Sequence, residues 1–447
     1  MSEGRRERII IVGAGLTGAL LACLLGEAGY DVVVYERRAD PRKEGIVGGR
    51  SINLAISVRA IHALKLAGLD RNVLDDAIAM RGRMIHSPTG QLSFQPYSKN
   101  PNDAINSVSR GALNVTMLDA AQQYPNVMHH FDQRCVDVDI ETPAVQLLNV
   151  QTNETTWDKG DVVIGADGAF SAVRERMHVL DRFDFNQTYL AHGYKELCIP
   201  PTSDGDFAMQ PNALHIWPRG GYMMIALPNK DRTFTCTLFW PFEGPHSFEA
   251  VQEEADVMPF FKAHFPDAVP LMPALVEDYL GNPTSSLVTV RCGPWYYQNK
   301  VALIGDAAHA IVPFYGQGIN AGFEDCVSLM ECLKVCRGDW GKALATYFER
   351  RKVHTDAIAD LAISNFLEMR DHAASKLFRL KKKGERAVHR LLPRWYLPLY
   401  NMVSFSRIPY AQAVQQARSQ ARAIKIAAGA LSLLVLLLIV WFIRVIV

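Results

Sequence analysis

The pattern of apolar and polar positions at the start of the chain predicts a repeating strand and helix order. Residues 8–12 and 32–35 are short apolar runs typical of buried strands, and residues 16–28, rich in alanine and leucine, predict the helix between them. Residues 161–164 and 301–304 repeat the buried-strand pattern. This order predicts an α/β fold with a Rossmann-like parallel sheet.

The pattern changes in the middle of the chain. Residues 213–217, 222–227 and 233–239 alternate in character and are rich in aromatic and β-branched side chains, which predicts antiparallel strands. Residues 319–337 predict a helix. From 340 to 425 the periodicity is helical, with interruptions near Pro393, Pro398 and Pro409. The sequence therefore predicts an inserted antiparallel sheet that covers a substrate, followed by a C-terminal helical region.

The end of the chain carries an apolar run. Residues 427–443 are seventeen positions without a charge, enough for about 25 Å of helix against a hydrocarbon core of roughly 30 Å. A buried terminal helix is the alternative, but such a helix usually keeps a polar stripe, and residues 433–442 have none. Arg418, Arg422 and Lys425 precede the run, which favours a tail anchor with the catalytic body in the cytosol.

Charge and cysteine content limit which ligands and partners the chain is expected to bind. The chain has 447 residues and a net charge of +1, which does not suggest a nucleic-acid partner. Its eight cysteines show no CxxC or other metal-ligand spacing, so we expect no metal site and a reducing compartment. A basic run at 379–383 and 386 is a solvated helix face or a contact for anionic headgroups.

The first glycine motif predicts a nucleotide site. Glycines at 13, 15 and 18 permit a tight turn and a close approach of backbone N–H groups to a diphosphate, and Glu36 at the end of the second strand can accept a ribose hydroxyl. Arg37 and Arg38 could indicate the 2′-phosphate of NADP, but the Glu36 carboxylate would repel that phosphate. The candidate FAD contacts here are Gly13, Gly15, Leu16, Thr17, Gly18, Glu36, Arg37 and Arg38.

Two later motifs point to flavin. Asp167 lies in a Gly-Ala-Asp-Gly segment, and Asp306 follows Gly305 at a strand tip where a carboxylate can bind a ribityl or ribose hydroxyl. A glycine-rich loop then leads into the helix at 319–337. Its free N–H groups and the positive helix end would face the pyrimidine edge of the flavin. The candidate contacts in this loop are Gly316, Gly318, Ile319 and Asn320.

These motifs resemble those of the class A flavoprotein aromatic hydroxylases. The resemblance narrows, at residues 49–55, 81–86, 107–110, 214–218, 305–314, 320–325 and 365–370, to the members that hydroxylate L-kynurenine. It implies FAD, NADPH as reductant, O₂ as co-substrate, and transfer of oxygen from a C4a-hydroperoxyflavin to ring position 3. It implies no catalytic acid or base. It adds Ala55 and Arg110 to the candidate cofactor contacts.

The resemblance also implies the substrate pocket. Arg83 and Tyr97 would hold the amino-acid end of the substrate, and Asn365 and Tyr400 would complete that subsite. Without the resemblance, Arg83 reads as a surface ion pair and Tyr97 as a packing residue. Tyr315 stands where the family often has phenylalanine, which affects only loop packing. Further pocket residues are Phe239, Pro313, Phe314, Glu368 and Met369.

Five segments follow from these assignments. They are an FAD-binding domain at 1–180 and 297–338, a substrate-binding β-sheet domain at 181–296, a C-terminal helical region at 339–426, and a transmembrane tail anchor at 427–447. The resemblance implies the mitochondrial outer membrane for a eukaryotic source, and the cytoplasmic membrane or a soluble enzyme for a bacterial one. The oligomeric state stays open.

Two other functions remain open at the level of sequence. One is a related hydroxylase that acts on another anthranilate-like or phenolic acid. The other is a non-catalytic binding module similar to the GDP-dissociation inhibitors, against which Arg110, Asp306 and the 316–318 loop argue.

Overall fold

A computed structural model describes residues 6–44, 53–368, 384, 388, 392 and 395–446. Its central element is a six-stranded sheet whose strands are parallel except for the antiparallel edge strand. Ile9, Ile10 and Ile11 are fully buried in it, as their continuous apolar run predicts. In spatial order the strands are Tyr296–Tyr297, Val301–Leu303, Val162–Gly165, Arg8–Val12, Asp31–Tyr35 and Val127–His130.

Helices cover this sheet. The first helix, Leu16–Glu27, packs against both Arg110–Gln122 and Gly318–Val335 and is buried over most of its length. The other described helices, together with two 3₁₀ turns, are Pro41–Glu44, Val58–Leu66, Asp70–Asp75, Ala172–Met177, Glu254–His264, Val269–Leu271 (3₁₀), Leu275–Gly281, Asp306–His309, Pro313–Tyr315 (3₁₀), Trp340–Leu367, Leu399–Phe405 and Tyr410–Ile446.

A seven-stranded sheet forms the second layer. One face packs Trp217 and Trp240 against Phe261 of the helix Glu254–His264, and the other presents Met223 and Phe239 to a second apolar cluster. Neighbouring strands are antiparallel except for one parallel pair. In spatial order they are Ser285–Gly293, Asp184–Ile199, Phe234–Pro241, Met223–Pro228, Leu214–Pro218, Gly82–His86 and Leu92–Pro96.

Two small antiparallel sheets complete the described strands. One is the meander Gln133–Asp139, Ala144–Asn149 and Thr155–Lys159. The other is ordered Asn53–Ile56, Ile105–Ser109 and Ile78–Met80.

The mixed α/β architecture predicted from the sequence is confirmed. The predicted strands at 8–12, 32–35 and 233–239 all form, within two residues at each end. The seven-stranded sheet also includes Gly82–His86 and Leu92–Pro96, which lie outside the predicted β-sheet domain at residues 181–296. The five predicted segment boundaries stay a prediction.

The C-terminal helix, Tyr410–Ile446, has two different parts. Its first residues pack on the helix Trp340–Leu367, with Tyr410 and Ala413 fully buried. The side chains from Leu433 to Phe442 are all exposed. The stretch Tyr410–Phe442 is long and apolar enough to cross a membrane. The basic run at 379–383 and 386 lies outside the described residues.

Candidate active site

The three glycine motifs meet because glycine lets their backbones approach. Gly13 has φ +103°, and a Cβ there would lie 2.6 Å from the carbonyl oxygen of Ala166. Gly305 has φ +61°, and its Cβ would lie 2.9 Å from Oγ1 of Thr17. Any side chain at these two positions would separate the motifs. The strand tips after Val12, Gly165 and Leu303 therefore form one edge of the parallel sheet, where ligands bind in this class of fold.

Arg174 ties the second motif to the third. Its Nη1 donates to the carbonyl of Ala307 at 2.8 Å, and its Nη2 donates to the carbonyl of Ala169 at 2.6 Å. Asp167 Oδ2 accepts from the backbone N–H of Ala172 at 2.7 Å. Asp167 Oδ1 is buried and makes no hydrogen bond among the described residues. Burial raises the pKa of Asp167, because the charged carboxylate is poorly solvated there. A polar ligand in the adjacent cavity could donate a hydrogen bond to the unsatisfied Oδ1.

A cavity of about 710 Å³ lies between the parallel sheet and the seven-stranded sheet. It brings together fourteen of the sixteen predicted cofactor contacts, which come from segments far apart in the sequence. Those that line it are Gly13, Gly15, Leu16, Thr17, Glu36, Arg37, Arg38, Ala55, Arg110, Asp167, Asp306, Gly316, Gly318 and Ile319.

Glu36 lies at one end of the cavity, and its carboxylate is held in place. Oε2 accepts from the backbone N–H of Ala14 at 2.9 Å, and Oε1 accepts from Nε of Arg38 at 3.0 Å. The residue is 7% exposed. These bonds fix the carboxylate at the glycine turn and leave it on the cavity wall, where it can also accept a ligand hydroxyl.

Gly18 and Asn320 lie behind the cavity wall. A Cβ on Gly18 would lie 2.0 Å from the carbonyl oxygen of Gly13, so this glycine is needed for the turn itself. The Asn320 amide donates to the carbonyls of Ala55 at 2.9 Å and Gly316 at 2.8 Å. Gly18 therefore shapes the wall through its backbone and Asn320 through its side-chain amide, whereas the sequence predicts that both contact the cofactor.

Asp306 lines the cavity at the third motif. Its side chain is exposed toward this cavity, yet desolvation by the surrounding protein raises its pKa, while His309 and Arg110 oppose the rise. The Nε2 of His309 is hydrogen-bonded to Asp325, which also accepts from Nε of Arg351 at 2.7 Å. His309 therefore belongs to a buried network with Asp325 and Arg351 in the protein interior.

The other end of the cavity carries the predicted amino-acid subsite. The guanidinium carbon of Arg83 lies 4.9 Å from the ring centroid of Tyr400 and 5.7 Å from that of Tyr97. The two tyrosine rings stack at 5.1 Å. Arg83 Nε and the Tyr97 hydroxyl are buried, and neither atom has a partner with hydrogen-bond geometry among the described residues. Burial lowers the pKa of Arg83, but the nearby Tyr400, Tyr97 and Glu368 outweigh it and raise that pKa. Arg83 and Tyr400 line the cavity, and Tyr97 lies directly behind them.

An aromatic wall adjoins this subsite. The ring centroid of Phe314 lies 4.9 Å from that of Phe239, and the Phe314 ring stacks on that of Phe366 with the centroids 4.1 Å apart. The Asn365 amide donates to the carbonyl of Phe314 at 2.6 Å, so it supports the wall from behind. Pro313, Phe314 and Phe239 line the cavity. Glu368 is the C-cap of the helix Trp340–Leu367 and lies outside the lining, and Met369 lies outside the described residues.

Sequence reasoning missed several lining residues. Tyr315 lines the cavity and stacks on Tyr400 at 5.6 Å, although we expected it to affect only loop packing. Tyr194, Thr237 and Ile225 line the cavity from the seven-stranded sheet. Thr237 lies two positions before Phe239 on the same strand, and residues two apart face the same side of a sheet. That spacing is the signal that could have identified Thr237.

Comparisons with known proteins agree with this geometry. Residues 6–362 match the family model described as FAD binding domain. The chain is 46% identical over 415 residues to the kynurenine 3-monooxygenase of Myxococcus xanthus, covering 93% of this chain and 89% of that protein. It is 43% identical over 429 residues to the kynurenine 3-monooxygenase of Sus scrofa, covering 95% and 90% of the two chains.

Solved structures show the same fold at low sequence identity. The tetrameric form of 2-methyl-3-hydroxypyridine-5-carboxylic acid oxygenase superposes with a TM-score of 0.67 at 19% identity, covering 83% of this chain and 94% of that one. The tetracycline destructase Tet(51) superposes with a TM-score of 0.62 at 20% identity, covering 88% and 99%.

Proposed function

We propose that this chain, which belongs to the kynurenine 3-monooxygenase family of FAD-dependent monooxygenases, converts L-kynurenine to 3-hydroxy-L-kynurenine. The reaction consumes one NADPH, one proton and one O₂, and it releases NADP⁺ and one water for each hydroxylated product. One oxygen atom enters the ring and the other leaves as water.

The observation that carries the proposal is the unsatisfied polar end of the cavity. Arg83 presents a guanidinium beside two phenols and makes no hydrogen bond through Nε. A guanidinium fork binds a carboxylate in a bidentate manner, and the phenols can add directional hydrogen bonds. The adjoining wall of Phe239 and Phe314 can pack an aromatic ring. This arrangement fits an aromatic amino acid with a free carboxylate.

The other end of the cavity fits FAD. Glu36 and Asp306 offer carboxylates for hydroxyl groups, and the buried Oδ1 of Asp167 makes no hydrogen bond among the described residues. The first N–H groups of the helix Gly318–Val335 have no acceptors inside the helix. When bound, FAD supplies hydride acceptance from NADPH and the activation of O₂. These residues bind and orient it.

The protein supplies orientation and water exclusion instead of a base. The aromatic amine of kynurenine makes the adjacent ring carbon electron-rich, so no phenol has to be ionised. Burial raises the pKa of Tyr97 well above its ordinary value, so its hydroxyl stays protonated and can donate to the substrate. The aromatic wall keeps water from the ring.

The C-terminal helix supports a membrane location. Its exposed apolar residues from Leu433 to Phe442 would be costly in water, and a helix satisfies its own backbone groups in lipid. We propose that this part anchors the protein while Arg418, Arg422 and Lys425 stay on the cytosolic side. A helix that buries its first turn on the catalytic body would hold that body close to the membrane.

Substrate-dependent oxidation of NADPH tests the function. The yellow holoprotein should oxidise NADPH faster with L-kynurenine than with anthranilate or 4-hydroxybenzoate, because only L-kynurenine carries both the aromatic amine and the amino-acid end. A stronger response to either acid would favour a related hydroxylase. A colourless protein that binds no FAD would favour a non-catalytic module.

A further inference from the structure

The first residue of the C-terminal helix contacts the loop that faces the cofactor. The hydroxyl of Tyr410 donates to the side-chain oxygen of Gln317 at 2.9 Å. Tyr410 is fully buried and Gln317 is 1% exposed. Burial raises the pKa of the Tyr410 hydroxyl, so it stays protonated and keeps its proton for this bond. The contact joins residues 93 positions apart.

Gln317 is the N-cap residue of the helix Gly318–Val335, but its side chain takes no part in the cap and makes no hydrogen bond to the first turn of that helix. Its neighbours Gly316 and Gly318 both line the cavity. Gly316 is left-handed, with φ +65°. The Gln317 side chain is therefore held on the side of this turn away from the cavity, while Gly316 and Gly318 face the cavity.

Two side chains hold this turn from different directions. Asn320 donates to the carbonyl of Gly316 at 2.8 Å from within the same helix. Tyr410 holds Gln317 from the C-terminal helix. Helix N-terminal amides are effective toward a ligand only when they point at it, so the orientation of this turn sets how well they bind an electron-rich group.

Tyr410 is itself held firmly. The guanidinium carbon of Arg59 lies 4.0 Å from its ring centroid. Arg59 pairs with Glu324 on the helix Gly318–Val335 and donates to the carbonyl of Ile408. Arg59, on the helix Val58–Leu66, thus covers the Tyr410 ring and ties it to the helix that follows the turn.

We infer that Tyr410 is a positioning residue for the cofactor, acting through Gln317 to orient the 316–318 turn toward the flavin. The start of the C-terminal helix then supports the flavin site, whereas the exposed apolar part of the same helix makes no contribution to that site. This inference rests on the proposed placement of FAD in the cavity. Its consequence is that the environment of the flavin depends on a helix whose other end is the proposed anchor.

The test uses full-length protein stripped of FAD and titrated with FAD by fluorescence quenching. We expect Tyr410→Phe to weaken FAD binding about tenfold, which corresponds to about 1.4 kcal/mol, and to shift the visible absorption bands of the bound flavin. Gln317→Met removes the same bond from the other partner. The double variant should bind FAD no more weakly than the weaker of the two single variants.

Tyr279→Phe is the matched control. Tyr279 is a buried tyrosine whose hydroxyl donates to the carbonyl of Val251 at 2.9 Å, in the hydrophobic core beside the seven-stranded sheet. It should lower the unfolding temperature while FAD affinity and spectrum stay at the wild-type values. This separates a positioning effect from a general loss of stability.

Wild-type FAD affinity and spectrum in Tyr410→Phe would overturn the inference, whether or not the unfolding temperature falls. Losses that add up in the double variant would overturn it too. If Tyr410→Phe does not fold, wild-type affinity in Gln317→Met has the same meaning. No substrate enters these measurements, so their failure is distinct from a failure to hydroxylate L-kynurenine.

Discussion

The guanidinium of Arg83 lies over the ring of Tyr400, 4.9 Å from its centroid, although the two residues are more than three hundred positions apart in the chain. Arg83 is on a strand of the seven-stranded sheet, and Tyr400 is on the short helix Leu399–Phe405. The amino-acid end of the proposed substrate pocket is therefore closed by an element that follows both the FAD-binding and the β-sheet segments.

The first prediction concerns Arg83. Arg83→Ala should raise the KM for L-kynurenine about tenfold to hundredfold, because a charge-assisted hydrogen bond contributes about 1.5–3 kcal/mol. FAD content should stay normal, since the guanidinium lies at the substrate end. Steady-state kinetics and flavin absorbance measure both quantities. Arg81→Ala, at the exposed position just before the same strand, is the control.

Arg83→Lys sharpens this test. Lysine keeps the charge but loses the planar fork, so its KM should also rise. Wild-type kinetics in the lysine variant would show that bidentate binding is not used.

The second prediction concerns Glu36. Glu36→Ala should weaken FAD binding about tenfold to hundredfold, because it removes an anionic acceptor worth about 1.5–3 kcal/mol. It also leaves the N–H of Ala14 and the side chain of Arg38 without their acceptor. Titration of the apoprotein measures the affinity, with Glu27→Ala, exposed at the end of the first helix, as control. Equal affinities in all three proteins would remove Glu36 from the site.

The third prediction concerns pH. Burial raises the pKa of Glu196 from 4.5 to about 7, and Arg110 opposes the rise. Because the folded pKa lies above the unfolded one, ionisation opposes folding. The stability that the protonated form provides is complete below the unfolded pKa and is lost as pH rises through the folded value.

Between about pH 5 and pH 8, the unfolding temperature of the wild-type protein should therefore fall more steeply than that of Glu196→Gln. Glu349→Gln, at an exposed helix position, should follow the wild-type curve. Thermal unfolding across this range is the measurement. Parallel curves for wild type and Glu196→Gln would mean that Glu196 ionises as freely as an exposed glutamate.

The fourth prediction concerns the C-terminal helix. Full-length protein should sediment with membranes and resist extraction by high salt and alkaline carbonate, because apolar burial in lipid outweighs surface charge attraction. A chain that ends at Ala423 should be soluble. Val435→Lys combined with Leu438→Lys should also release the protein. Release of the wild type by salt alone would mean that the helix lies against protein.

Much of the fold followed from local sequence patterns. The glycine motifs, the apolar runs at 8–12 and 161–164, and the alternating run at 233–239 each carry a local pattern, so their strands could be predicted. The strand Gly82–His86 has no such signal. Its place in the seven-stranded sheet comes from parallel pairing with Leu214–Pro218, and a pairing over that sequence distance leaves no local trace.

The site was predictable where chemistry is carried by motifs. Glu36, Asp167 and Asp306 follow strand tips, and parallel strands bring those tips together. The hydrogen bond from Tyr410 to Gln317 and the stacking of Tyr315 on Tyr400 depend on how the last helices pack on the loop. Single positions in helical and loop segments do not reveal such contacts.

The most direct test of the proposed function is the product formed from L-kynurenine under isotopically labelled O₂. The holoprotein with NADPH should give 3-hydroxy-L-kynurenine with one labelled oxygen on the ring, identified by mass spectrometry against an authentic standard. Arg83→Ala at the same substrate concentration should give much less. Oxidation of NADPH that yields only hydrogen peroxide, or a product hydroxylated at another ring carbon, would contradict the proposal.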